Sequence, residues 1–158
     1  MKTDIRLGLV VAIAFFGLSG HARADDDHDE CTLRTLRGTY VFAASGHNIV
    51  GGVAQPKAII EVLEFHGNGV LATTNGTLGV NGVTVHPLRD GGGYTVDASC
   101  VGTITFDAGP TFDMFFGPDG KKLWMIQTNK VPPVVPPGVF QGIATRVSRG
   151  VSIDRDRH

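Results

Sequence analysis

Residues 57–78 read KAIIEVLEFHGNGVLATTNGTL, and this stretch decides the fold. Between Lys57 and His66, one parity carries Ile59, Glu61, Leu63 and Phe65, and the other carries Ile60, Val62, Glu64 and His66. An extended chain turns successive side chains to opposite faces, so the pattern is that of a strand with one side committed to a core. His66-Gly67-Asn68-Gly69 supplies the glycine and asparagine conformers that a tight reversal needs. The run 69–78 then returns antiparallel.

The same punctuation continues in both directions. Runs rich in Val, Ile, Thr, Phe and Tyr fall at 38–45, 57–66, 69–78, 83–88, 93–99, 102–107, 111–116, 121–128 and 139–148. Reversals are marked by Asn81-Gly82, Asp107-Ala108-Gly109-Pro110 and Gly117-Pro118-Asp119-Gly120. No stretch of ten or more residues after residue 24 keeps the 3.6-residue apolar period, and the 22 glycines interrupt every candidate helix. Meandering strands must hide their edges. The expected fold is therefore all-β, a single antiparallel barrel of eight to nine strands, with a two-sheet sandwich as the alternative that the same strand spacing permits.

Alternation assigns the interior to Tyr40, Phe42, Ala44; Tyr94, Val96, Ala98; Ile104, Phe106; and Phe112, Met114, Phe116. The run Leu123-Trp124-Met125-Ile126 is apolar on both faces, which calls for an outer cover. Residues 131–138, VPPVVPPG, are a stiff extended loop that could provide it, because their four prolines cannot donate to a ladder.

The chain opens with Lys2 and Arg6, a 12-residue apolar run from Leu7 to Leu18, and Ala22-Arg23-Ala24. A helix needs about 20 residues to span a bilayer, so residues 1–24 read as a cleaved export signal rather than an anchor. The protein is expected to be exported, periplasmic or secreted, with no membrane span in its mature form. Residues 25–35 form an acidic flexible start, 36–149 the barrel domain and 150–158 a flexible tail. Without residues 1–24 the chain holds 11 basic and 14 acidic residues, a formal charge of −3, which argues against a nucleic-acid partner. The two cysteines, Cys31 and Cys100, lie in the exported part, where thiols usually pair. Two free thiols, one nucleophilic, are the alternative, although no basic residue adjoins either to lower its pKa.

Few residues could carry chemistry. Either register of 57–66 turns a carboxylate inward, and Glu61 is the expected one, since Leu63 and Phe65 then join the core. Burial would raise its pKa and suit general acid or base work. A Glu at a barrel mouth, or one displaced by a bulge and hydrogen-bonded, is the plain alternative. His47, His66 and His86 are scattered near strand ends and read as surface or mouth residues, so no metal is expected. Asp25 to Glu30 reads as a solvated tail, and Asn75-Gly76-Thr77 as a chance sequon. The sequence lacks a nucleophile elbow, a phosphate loop and paired metal-binding cysteines, and no cofactor is expected.

Gly38-Thr39-Tyr40 on the first strand and Gly142-Ile143-Ala144-Thr145-Arg146 on the last resemble the calycin arrangement, in which a first-strand aromatic is covered by a basic residue from the final strand. Tyr40 stands where those proteins have Trp. Strand order and turn pattern from about residue 36 to 148 also resemble a group of uncharacterised secreted bacterial barrel proteins and, more distantly, the allene oxide cyclase and dirigent type. The resemblance implies an antiparallel barrel with an apolar cavity, with Tyr40 and Arg146 closing one end. It carries no catalytic residue onto this chain.

Three functional readings follow. In the first, the barrel binds a small hydrophobic or aromatic molecule among Tyr40, Phe42, Tyr94, Phe106, Phe112, Phe116 and Trp124. In the second, it is a cofactor-independent isomerase, cyclase or lyase with Glu61 as catalytic group and Tyr94 as its proton partner. In the third, side chains fill the barrel, and the outer face around Phe115 and the Pro-rich loop works through protein contacts. Oligomeric state is not legible.

Overall fold

The computed structural model describes residues 30–128 and 136–149. The expected export signal, the start of the acidic segment, most of the Pro-rich run and the last nine residues lie outside them. Nine strands follow a single 3₁₀ turn at Leu33–Leu36: β1 Gly38–Val50, β2 Val53–Phe65, β3 Val70–Val80, β4 Val83–Val85, β5 Asp90–Val96, β6 Val101–Phe106, β7 Thr111–Phe116, β8 Lys122–Thr128 and β9 Gly138–Ser148.

Every neighbouring pair is antiparallel, and the sheet runs β2-β1-β9-β8-β7-β6-β5-β3-β4. β2 also pairs with β3 along nearly its whole length, which joins the two sides of the sheet. The result is a closed eight-strand barrel, with β4 added on the end of β3. Closure leaves the eight ring strands without an open edge, and the sandwich alternative falls. No helix among the described residues is long and apolar enough to cross a membrane.

Strand limits differ from the sequence reading in physically interpretable ways. β1 runs five residues past Ser45, because Gly46 to Asn48 pair with both β2 and β9, and Ile49 and Val50 with β2, despite their weak apolar pattern. β5 ends at Val96, and Asp97 accepts from the backbone N–H groups of Ser99 and Val101, which folds residues 97–100 into a turn. Ala98, expected inside, is thereby exposed.

Each end of the barrel has its own character. At one, Leu36 is fully buried beneath the 3₁₀ turn, and the Phe65 ring meets Tyr40 and Tyr94 edge-on at centroid distances of 5.0 and 4.9 Å. The Cys31–Cys100 disulfide ties the chain start to the β5–β6 turn there. Arg146 Nε donates to Tyr40 Oη at 2.9 Å, and its guanidinium lies 5.2 Å from the Tyr40 ring centroid. Tyr40 donates in turn to the Gly120 carbonyl at 2.7 Å, while Arg146 also donates to the carbonyls of Asp119 and Thr35. These bonds seal this end of the barrel. The other end stays open.

Candidate functional site

The open end is built by the inward parity of β1 and β2 together with β3, β5, β6, β7 and β9. Phe42, Ile59, Leu78, Phe106, Phe112 and Phe140 line an interior cavity of about 280 Å³ there, and Lys57, Glu61, Asn48 and Asp90 share its wall. Pro136, the described end of the Pro-rich run, stands at the same mouth. The cover expected from that run over the β8 exterior lies outside the described residues.

Glu61 points inward as expected and is 4% exposed. Two features of β3 make room for it. A bulge between Thr73 and Asn75 places an extra residue opposite β2, so Thr73 and Gly76 are both buried against it. Thr73 Oγ1 donates to Glu61 Oε2 at 3.3 Å. Gly76 stands directly across from Glu61, where a Cβ would come within 2.7 Å of the Glu61 Cβ. Burial raises the Glu61 pKa to about 7 against the opposing pull of the Thr73 bond; Asp90 adds to the rise and Lys57 opposes it. Glu61 is thus poised to hold or release a proton near neutrality.

Lys57 shares the Glu61 parity four residues earlier, with Ile59 between them on the same face, and is 9% exposed. Gly46 stands between Lys57 and Phe140 in the register and carries no side chain, and Lys57 Nζ reaches 4.2 Å from the Phe140 ring centroid. Burial lowers the Lys57 pKa, and Glu61 partly restores it. The sole ion pair among the described residues is the exposed Lys121–Asp119, so none of their carboxylates stands within ion-pair distance of Lys57. Two further buried side chains have unmet polar atoms: Asn48 Oδ1, and both amide atoms of Gln127, whose register partner is Phe112. Buried polar groups nearly always have partners; of these two, Asn48 lines the cavity, so its Oδ1 is the one a bound molecule there would satisfy.

The residues expected to line the interior are divided by the structure. Phe42, Phe106 and Phe112 surround the cavity, Tyr40 and Tyr94 belong to the sealed end, and Phe116 is buried outside the cavity wall. Trp124 is a correction: it lies on the outer face, 51% exposed, because Leu123 and Met125 take the inward parity of β8. Tyr94 is not brought to Glu61. Its hydroxyl donates to the Leu33 carbonyl at 3.0 Å, at the sealed end, and the hydroxyl that hydrogen-bonds Glu61 is that of Thr73. Lys57, Phe140, Asn48 and Gln127 were not singled out from the sequence. Lys57 has the parity of Glu61 and Gln127 that of Leu123, so parity alone could have found both. Asn48 required the true length of β1.

His47 and His66 are exposed, while His86 Nδ1 lies 3.0 Å from Thr77 Oγ1. A larger and more open concavity lies on the outer wall, crossed by a register row of Ile60, Ala43, Ile143, Trp124 and Phe115. The polar side chains along it, Ser45, Thr77 and Gln141, are all exposed. Comparison with protein-family models, curated proteins and solved structures finds no match for the chain, and the calycin likeness rests on the closed barrel and on the Tyr40–Arg146 contact.

Proposed function

We propose that this protein is an exported binding protein that holds a small apolar or aromatic molecule in the open end of its barrel. The observation that carries the reading is the convergence of buried Glu61, Lys57 and the unpartnered Asn48 Oδ1 on an aromatic-lined cavity of about 280 Å³. Apolar walls supply affinity, and a few buried polar groups set orientation. Export is supported by the basic and apolar start of the chain and by the disulfide, which persists in oxidising compartments.

A cofactor-independent isomerase, cyclase or lyase is the second reading, favoured by the Glu61 pKa of about 7. In it Glu61 works with Thr73 beside it, not with Tyr94. The filled-barrel reading loses support from the cavity itself.

Native mass spectrometry of protein purified gently from its host, repeated after organic extraction, tests the proposal. An extractable small molecule that stays bound to Glu61→Gln is the expected result. Turnover lost in Glu61→Gln with binding retained would move the assignment to the enzyme reading. An empty protein that takes up no aromatic probe would sink both.

A further inference from the structure

Lys57 is the only buried lysine among the described residues, and its surroundings are those of a nucleophile rather than of an ion-pair partner. Its Nζ lies over the Phe140 ring, with no carboxylate of the described residues at ion-pair distance. An ammonium in such a place is poorly solvated, and burial depresses the Lys57 pKa against the opposing pull of Glu61 and of the ring face, which raises the share of neutral amine. A neutral lysine amine in an apolar pocket is the group that attacks carbonyl carbons. The rest of the cavity suits the same chemistry. Glu61 follows Lys57 on the inward face of β2 and keeps its proton up to about pH 7. Asn48 Oδ1, buried and without a donor, offers an acceptor on the same wall. Asp90, on β5, is the other acidic group at this wall, and Arg89 is the other basic one.

We propose that Lys57 captures an apolar aldehyde, aromatic or polyene, as a reversible Schiff base inside the barrel. The inference rests on the binding reading of this cavity and names its ligand class. The Nζ lone pair attacks the carbonyl carbon while the carbonyl π electrons move to oxygen. A proton passes from nitrogen to that oxygen, giving a carbinolamine whose hydroxyl can donate to Asn48 Oδ1. Glu61 then protonates the departing hydroxyl, the C–O bond breaks, and water leaves. The products are a protonated imine on Lys57 and a Glu61 carboxylate, whose charges offset one another within the cavity without direct contact. Nothing is oxidised or reduced, and hydrolysis by the reverse path releases the aldehyde.

The test uses 2-naphthaldehyde with sodium cyanoborohydride at pH 7, followed by peptide mass mapping, and 2-naphthalenemethanol as a probe with the same rings and no carbonyl. Lys57 is expected to carry the reduced adduct at least tenfold ahead of exposed Lys121 and Lys122, and Glu61→Gln to slow its formation about tenfold. Lys57→Arg should lose that adduct, and the wild-type protein should bind the alcohol. Because labelling is mapped within the wild-type protein, a poorly folding variant does not remove the test. If the alcohol binds but the aldehyde marks Lys57 no faster than Lys121, the Schiff base is overturned and the binding reading stands. If neither compound binds, both fall.

Discussion

Glu61 and Gly76 face each other across β2 and β3, and the missing side chain of Gly76 is what admits a carboxylate to the barrel wall. A Cβ added at Gly76 would meet the Glu61 Cβ at 2.7 Å and its Cα at 3.2 Å. Gly76→Ala should therefore push Glu61 off its Thr73 partner, lower stability by about 1–3 kcal/mol as overpacking does, and weaken 2-naphthalenemethanol binding. Urea denaturation and probe titration check this. Unchanged affinity would mean that Glu61 does not shape the cavity.

Stability should fall as pH rises through the Glu61 window. The unfolded carboxyl titrates near 4.5 and the folded one at about 7, so the fold retains a proton that the unfolded chain gives up. The benefit is complete below about pH 4.5 and disappears as pH passes 7, amounting to roughly 3 kcal/mol at most. The charged groups at the same wall are Lys57, Arg89 and Asp90. Denaturation midpoints of wild type and Glu61→Gln across pH 4 to 8 test the sign, and the variant should lack this slope.

Arg146→Met should cost about 2–3 kcal/mol, since it strips a charged donor from Tyr40 Oη and from the Asp119 and Thr35 carbonyls together. Arg146→Lys should rescue little, because one ammonium cannot reproduce the planar fork. The lesion lies at the sealed end, so probe affinity should survive. A thermal melt of each variant, with a probe titration below the melt, separates stability from binding.

Removing both Cys31 and Cys100 as alanines should lower stability by roughly 4 kcal/mol, the loop-closure value for a bridge 69 residues apart. Reduction of the wild type should reproduce the loss. Equal stability of oxidised and reduced protein would show that the bridge constrains little.

Trp124 is the single tryptophan and lies on the outer wall. A ligand in the interior cavity should leave its acrylamide quenching unchanged. Protection of Trp124 by 2-naphthalenemethanol would place that molecule in the outer concavity instead.

What the sequence determined by itself was local. Period-two alternation places Tyr40, Phe42, Ala44, Tyr94, Val96, Ala98, Ile104, Phe106, Phe112, Met114, Phe116 and Glu61 inside, and the structure buries all but half-buried Val96 and exposed Ala98, at and beyond the end of β5. Parity is a property of the extended backbone and needs no knowledge of neighbours. Tight turns such as Asn81-Gly82 are legible for the same reason, as Asn81 adopts φ 47° and Gly82 φ 82°. The ambiguity at Leu123–Ile126 arose where both parities are apolar, and only the pairing of β8 with β7 and β9 turned Trp124 outward.

Only the tertiary structure decided the rest. Barrel and sandwich share their strands and turns, and the pairing of β1 with β9, the first strand with the last, is the long-range contact that closes the ring and separates them. The β3 bulge changes parity within an unbroken strand, so Thr73 and Gly76 meet Glu61 together although their spacing is odd. The cavity polar set, Lys57, Asn48 and Glu61, comes from two strands and becomes a site only where closure excludes water from all three. That desolvation, not any motif, is what moves the Glu61 proton to about pH 7.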